Sequence, residues 1–394
     1  MRLADLVAAL ETIAPVRYAE AWDKVGLQIG DPHREVTGPV LLTIDLTEPV
    51  LGEAVAMGAS AIVAYHPPIF GPIERLTSAT AKERILRGAI EHNIAIYTPH
   101  TALDAAPGGV TDWLCEGLAG TEEGRVQGDV RALRPHARLR STEQVKIVTF
   151  LPPDHVDQVR RALASAGAGI IGEYRLCSFE TRGHGTFVGS EEAHPTTGEP
   201  GKFQRADEVR LEMVCSHGAL PLALETLRQF HPYEEPAVDV FELLPKPRRR
   251  VGAGRRLVLD QGVTIDELAR RLTRHLGTAR IQLALTGPEA NDRKFSRIGV
   301  VPGSGASLLS DAAESGCEVF VTGEMKHHDV LDAVQRGVCV ILAGHTNTER
   351  GYLPRLAKVL AAKLPGVDVR QSIEDRDPLR LVANVARPPA EAGG

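Results

Sequence analysis

Cysteine is scarce and scattered in this chain of 394 residues: Cys115, Cys177, Cys215, Cys317 and Cys339, with no C-x-x-C pair. An odd, dispersed set argues against a disulfide framework and against a thiolate zinc site. Positive charge is not in excess. Lys and Arg number 45 against 51 Asp and Glu, a formal net charge of −6, the wrong sign for a dedicated nucleic-acid binder. No apolar run approaches the 18 residues that a membrane span needs, and Asp5 and Glu11 interrupt any signal-peptide core within Met1–Glu20. There is no G-x-x-x-x-G-K-[ST] loop and no G-x-S-x-G elbow, so P-loop ATPase and serine hydrolase chemistry have no support. These absences predict a cytoplasmic protein without a membrane partner, with nucleic acid disfavoured by the charge.

What is present is an ordinary globular balance, 43% apolar and 24% charged, in a chain long enough for two or three domains at roughly 150 residues each. Leu3, Leu6, Val7, Leu10 and Ile13 recur at helical spacing. Short apolar strands then alternate with helices: Val40–Leu46, Ala61–Ala64 and Ile94–Thr98 are predicted strands, Glu48–Met57 and Ala81–His92 helices. The same grammar returns with strands at Arg297–Val301, Val319–Thr322 and Val338–Ala343, and helices at Asp329–Arg336 and Glu349–Lys363. Strands alternating with helices imply parallel sheets.

The two stretches also match residue for residue. Gly58–His66 lays over Gly316–Glu324 without a gap, and each half then offers His-Thr-x-x-acid, His100 to Asp104 and His345 to Glu349. The prediction is an α/β protein whose two pseudo-repeated parallel-sheet lobes form one discontinuous domain, residues 1–140 and 250–386. Between them, residues 146–245 read as strand, helix, strand, strand, helix, strand, a ferredoxin-like α+β insert. Its middle strands are expected near Tyr174–Phe179 and Gly185–Val188, and Pro245–Arg250 as its exit linker. The Pro-, Ala- and Gly-rich tail 387–394 is expected to fray.

His66, His100 and His345 each stand just past the carboxyl end of a predicted parallel strand, where ligands gather in open α/β sheets. Asp104 and Glu349 follow their histidines by four residues, so one turn can aim both groups at one point. Imidazole nitrogen with carboxylate oxygen and no sulfur suits Zn, Mn, Fe or Co. Bridging carboxylates would permit two ions ~3.5–4 Å apart, as in two-metal hydrolases. His327 and His328 follow Glu324 and Lys326 on a helix start. A proton-transfer role for His328 and a substrate contact for Lys326 stand beside plain solvated side chains. Gly167-Ala-Gly-Ile-Ile-Gly172 matches G-x-G-x-x-G, but it follows a helix and precedes a strand, so it reads as a turn. The cluster Lys246, Arg248, Arg249, Arg250, Arg255 and Arg256 reads as a solvated linker.

Trp22-Asp-Lys-Val-Gly-Leu-Gln28, Tyr65-His66-Pro67, His100-Thr-Ala-Leu-Asp-Ala-Ala-Pro-Gly-Gly109, Thr322-Gly-Glu-Met-Lys-His-His-Asp329 and Gly344-His-Thr-Asn-Thr-Glu349 resemble the motifs of the GTP cyclohydrolase type 2 homologue family, the NIF-three-like dinuclear metal-centre proteins. The resemblance covers about residues 2–115 and 250–385, and residues 146–245 look like the PII/CutA-like insert of the longer members. It implies a homohexameric ring with two divalent ions per subunit at the carboxyl edge of the sheet. Their ligands would be His66, Asp104, His345 and Glu349, with His100 beside them. Where the family has two adjacent histidines this chain has Tyr65-His66. Either Tyr65, His100 or His328 completes the second metal position, or the second ion is held weakly. The family name implies opening of the GTP purine ring by metal-activated water. Two expectations follow: a metal-dependent hydrolase of a nucleotide-like or phosphorylated small molecule, or a non-catalytic metal-binding scaffold that senses a small molecule through the insert.

Overall fold

A computed structural model describes residues 1–120 and 125–379. The expected fraying tail, 387–394, lies outside the described residues. The chain is mixed α/β with several sheets and divides into two compact units, residues 1–136 with 248–394 and residues 137–247.

Among the described residues the larger unit holds two sheets. In the first, Val40–Thr43, Ala61–Ala64 and Ala95–Thr98 run parallel, Val369–Gln371 extends them in parallel, and Gly26–Ile29 closes the far edge antiparallel. In the second, Phe295–Val300, Val319–Thr322 and Cys339–Leu342 run parallel. There Gln282–Ala284 is antiparallel to Cys339–Leu342, and the long strand Lys246–Val263 is antiparallel to Phe295–Val300. The central strands are only four residues long and buried on both faces, which is why they read as continuous apolar runs rather than alternating ones. Side chains still sort with period two. Val40, Leu42, Ala61 and Val63 of one sheet, and Val319, Val321, Cys339 and Ile341 of the other, enter a single shared core. Leu41 and Ile62 instead meet the helices Glu48–Ala56 and Ala81–Glu91, and Phe320 and Val340 a further cluster around Leu308, Leu309 and Ala312.

The predicted Glu349–Lys363 helix is interrupted, as Asn347–Arg350 followed by Leu353–Lys363 with Pro354 in its first turn. Proline lacks the N–H that a continuous helix would need, and it is well tolerated where a helix begins.

Residues 246–250 are not a linker. They begin the 18-residue strand Lys246–Val263, which is exposed through Arg250, buried or half-buried from Val251 to Leu259 and exposed again at Asp260 and Gln261. Nor is Arg255 solvated: it is fully buried. Its Nε donates to Asp112 Oδ1 at 2.5 Å, Nη1 to the carbonyls of Gly252 and Gly254 at 2.7 and 2.9 Å, and Nη2 to those of Ala105 and Ala106 at 3.1 Å each. All five guanidinium N–H groups are therefore placed. Asp112 sits on the wholly buried helix Val110–Ala119, and its second oxygen accepts from Gly108 N and Arg250. Arg256 donates to the Ser315 carbonyl, Arg248 to Tyr18 Oη and Arg249 to Asp129. Lys246, Arg248, Arg249 and Arg250 are exposed, as the solvated reading expects, though each has a bonding partner; Arg255 is the member that departs from it.

The smaller unit follows the order Val145–Leu151, helix Val156–Ser165, Phe179–Val188, Phe203–Cys215, helix Leu220–Phe230, Val238–Glu242. Its four strands are antiparallel, with Phe203–Cys215 and Val145–Leu151 at the centre. Two expected strands at 174–179 and 185–188 are one strand, Phe179–Val188. Residues 171–174 form a turn, closed by a bridge between Ile171 and Tyr174. Gly169 belongs to that turn region with φ +72°, where a Cβ would lie 2.5 Å from Met213 Cε.

Replacing Arg255 with Met should destabilise the fold by about 3–5 kcal/mol, because it strands the buried Asp112 carboxylate and four carbonyls. Urea unfolding at neutral pH measures this, and a loss below about 1 kcal/mol would contradict the internal role of Arg255.

Candidate metal centre

His66 follows the strand Ala61–Ala64, and His345 and Glu349 follow Cys339–Leu342. His345 and Glu349 are four residues apart in the chain, and His66 reaches them from the end of a strand in the other sheet. One ligand atom each from His66, His345 and Glu349 lie within 4.8 Å of one another. His66 Nε2 is 3.5 Å from Glu349 Oε2 and His345 Nε2 is 3.4 Å from Glu349 Oε1. Both imidazoles are held from behind. Nδ1 of His66 donates to Asp45 Oδ1 and Nδ1 of His345 to Glu324 Oε1, each at 2.9 Å. With Nδ1 anchored, the Nε2 lone pair of each ring faces the carboxylate of Glu349, the carboxylate–histidine arrangement of metal sites.

Glu349 is 3% exposed, and among the described residues its buried Oε2 has no hydrogen-bond partner, His66 Nε2 standing off at 3.5 Å. A buried carboxylate oxygen left unpaired is costly unless a cation occupies its free side. The donor set therefore fits a divalent ion. The charge balance says the same: burial pulls the His66 pKa down, yet the hydrogen bond to Asp45 and the nearby charges of Glu349 and Asp45 outweigh it and raise the group from 6.5 to about 10. Without a cation, the carboxylates hold a proton in its place.

Asp104 and His100 line the same crevice, a cavity of about 570 Å³ that also touches Trp22, Phe70 and Arg134. Asp104 Oδ1 accepts a 2.6 Å hydrogen bond from Tyr65 Oη, so the buried tyrosine fills the space between the histidine cluster and this carboxylate. Burial pushes the Asp104 carboxyl up to about 7, with the charge of Glu349 adding to the rise and His100 and Tyr65 opposing it. Burial, then the Asp104 and Glu349 charges, keep the Tyr65 phenol well above its usual range. His100 stands with φ +26°, in the left-handed region, which costs a non-glycine residue about 1–3 kcal/mol. Asp23 offsets that strain: it accepts from His100 Nδ1 at 2.8 Å, from Thr101 N at 3.1 Å and from Thr101 Oγ1. Burial raises the Asp23 carboxyl, but these bonds win and its pKa is lowered.

His66 and His345 also border a second cavity of about 1090 Å³, which reaches Asp45, Arg280, Glu324 and Asn347. His328 and Lys326 lie elsewhere: both are exposed at the start of the helix His327–Gln335 and line neither cavity. His328 stacks edge-on against His327 at 5.8 Å between ring centroids.

Three supporting carboxylates were not singled out from the sequence as site residues. Asp45 has the same placement as His66, two residues past a parallel strand, but the strand expected over Val40–Leu46 ends at Thr43, and the expected span encloses Asp45. Glu324 falls opposite His66 in the repeat alignment. Asp23 lies within the Trp22–Gln28 motif and gave no other signal.

Comparison with known proteins adds an independent line. The description Duf34/NIF3 (NGG1p interacting factor 3) matches residues 1–378. A Halalkalibacterium halodurans protein named GTP cyclohydrolase 1 type 2 homolog is 33% identical over 384 residues, covering 96% of this chain and 98% of its own. The Rattus norvegicus NIF3-like protein 1 is 33% identical over 383 residues, 97% of this chain and 93% of its own. Among solved structures, a Bacillus cereus protein related to NIF3 superposes with a TM-score of 0.62 at 32% identity. The Staphylococcus aureus protein SA1388 gives 0.70 at 29%. Each covers 97% of this chain and 99% of the other.

The raised pKa of His66 has a signed consequence. Its protonated form is favoured by folding, so in chelator-treated protein that stabilisation is complete below about 6.5 and is lost as pH rises from 6.5 to about 10. Urea midpoints should fall across that window, and fall less in His66→Gln. Midpoints that stay level or climb in the unsubstituted protein would contradict the assignment.

Proposed function

The chain belongs to the Duf34/NIF3 family, and on that premise we propose that it is a metal-dependent hydrolase of a nucleotide-like or phosphorylated small molecule. The observation that carries this reading is the buried, half-unpaired Glu349 carboxylate, on which two oriented imidazoles converge. His66, His345 and Glu349 would hold one divalent ion (Zn, Mn, Fe or Co). Asp104, with His100 beside it, would serve a second, more weakly held ion. A bound ion at this place supplies a Lewis acid and lowers the pKa of a coordinated water toward ~7.

The chain's own side chains prepare that chemistry. Asp45 and Glu324 fix the imidazole tautomers, so that Nε2 and not Nδ1 faces the crevice. Tyr65 Oη donates to Asp104 Oδ1 and orients that carboxylate toward the crevice. Trp22 and Phe70, 55% and 50% exposed with ring centroids 6.0 Å apart, flank the crevice with apolar surface. Arg134 brings a guanidinium to its wall; paired with Asp311 at 2.7 Å, it is held in place to meet an anionic group. GTP ring opening, the activity in the relatives' name, is one case of this class. We further place the protein in the cytoplasm as a homo-oligomer, a hexamer in keeping with the resemblance.

A second reading rests on the Tyr65–Asp104 bond, which ties up the carboxylate the second ion needs, and on the self-contained unit 137–247. Under it the protein is a metal-binding scaffold that senses a small molecule through a PII-like unit.

Metal content by mass spectrometry on protein purified without chelator separates the two. The hydrolase reading expects more than one equivalent per chain, approaching two in Tyr65→His and falling below one in His345→Ala. His345→Ala should also abolish turnover in a hydrolase screen, and activity that survives this substitution would overturn the reading. Formate release from GTP tests that substrate directly; none released excludes it. The scaffold reading expects a single equivalent in the unsubstituted protein and no turnover.

A further inference from the structure

The smaller unit carries a cavity of its own, about 410 Å³, remote in chemistry from the metal centre. In the strand Phe203–Cys215, Val209, Leu211, Met213 and Cys215 pack against the unit's helices. By strand alternation Glu208, Arg210 and Glu212 face the other way. On that uncovered face Phe150, Phe187 and Tyr233 wall the cavity together with Glu208, Glu234 and Glu235. Among the described residues no Lys or Arg lines it, and His194 is the one basic side chain that does.

Three features make this more than a group of acids. First, room is made for the Glu208 carboxylate. Its cross-strand partner is Gly183, and a Cβ at Gly185 would lie 2.2 Å from Glu208 Oε2. Second, the cations of this sheet face are committed elsewhere. Arg210 Nε and Lys146 Nζ both bond Glu212, at 2.9 and 2.6 Å, and the Arg210 guanidinium lies 5.9 Å from the Phe150 ring centroid, so Phe187 and Tyr233 are the rings left to a ligand. Glu208 receives only the neutral Tyr233 hydroxyl at 2.8 Å, and among the described residues neither Glu208, Glu234 nor Glu235 has an ion-pair partner. Third, the loop beyond Phe179–Val188 is tied over the cavity: His194 N donates to Glu234 Oε2 at 3.2 Å and Thr196 Oγ1 to the Pro232 carbonyl at 2.6 Å.

We infer that this cavity binds an organic ammonium ion. Aromatic faces attract a cation through their quadrupole, most strongly for alkylammonium groups that are cheap to desolvate. The unpaired carboxylates supply the compensating charge, and the volume lies in the range of small-ligand sites. An anionic or phosphorylated ligand would meet three carboxylates with no basic group but His194.

Isothermal titration of the full-length protein with putrescine, spermidine and choline, at physiological ionic strength, tests the inference. One saturable site per chain is expected for at least one of them. Preference for the diamine, the polyamine or choline each supports it and says whether the head is primary or quaternary. Glu208→Gln and Phe187→Leu should each weaken binding about tenfold, with bound metal unchanged. Phe187→Leu keeps the apolar volume and removes only the ring. Thermal melts that match the unsubstituted protein show that each variant is folded. Absence of binding by all three amines would overturn the inference. So would binding that salt abolishes and neither substitution alters, or saturation by inorganic phosphate instead.

Discussion

One fully buried guanidinium organises the larger unit. Arg255 joins the long strand Lys246–Val263 to the helix Val110–Ala119 through Asp112, and to the carbonyls that end the helix His100–Ala105. That last short helix carries both His100 and Asp104. A six-residue helix has little stability of its own, so the crevice depends on an ion pair that touches none of its ligands. Burying a charge is tolerable only when every donor is satisfied, and here each N–H of the guanidinium has an acceptor.

The crevice itself reverses that logic. Where Arg255 is completely paired, Glu349 is buried with one oxygen unpaired, and its histidine neighbours are braced on Asp45 and Glu324. The fold spends hydrogen bonds on orientation and leaves the converging atoms free. Strands of four residues help, because side chains just beyond their ends open directly into the space between the sheets' carboxyl edges. A cation in that space would satisfy Glu349 and displace the proton that Asp45 and Glu349 otherwise hold on His66.

Much of this was legible in the chain. The strands Ala61–Ala64 and Val319–Thr322 are legible to the residue, because each is a run too short for a helix, set between helical segments. Placement after strand ends marked His66, His345 and Glu349, which the fold gathers within one ion's reach. Other features were hidden for physical reasons. Arg255 sits in a run of arginines that reads as solvated, and nothing local reveals a burial made possible by carbonyls 150 residues away. Asp45, Asp23 and Glu324 act on other side chains, so their partners exist only in three dimensions. His328 follows a histidine in a motif, yet it lies on an exposed helix start. In the smaller unit the long hairpin strand was read as two, because its exposed face carries Gly183 and Gly185 and breaks the alternation.

Position 100 is subject to two demands that no single residue satisfies. The backbone there asks for glycine, the one residue at ease with φ +26°; the crevice asks for an imidazole. Glycine at this position would relieve the backbone and at the same stroke strip the buried Asp23 carboxylate of its imidazole partner. A library varied at position 100 therefore has to be scored on the crevice as well as on melting temperature, because a melting temperature does not report whether the imidazole is in place.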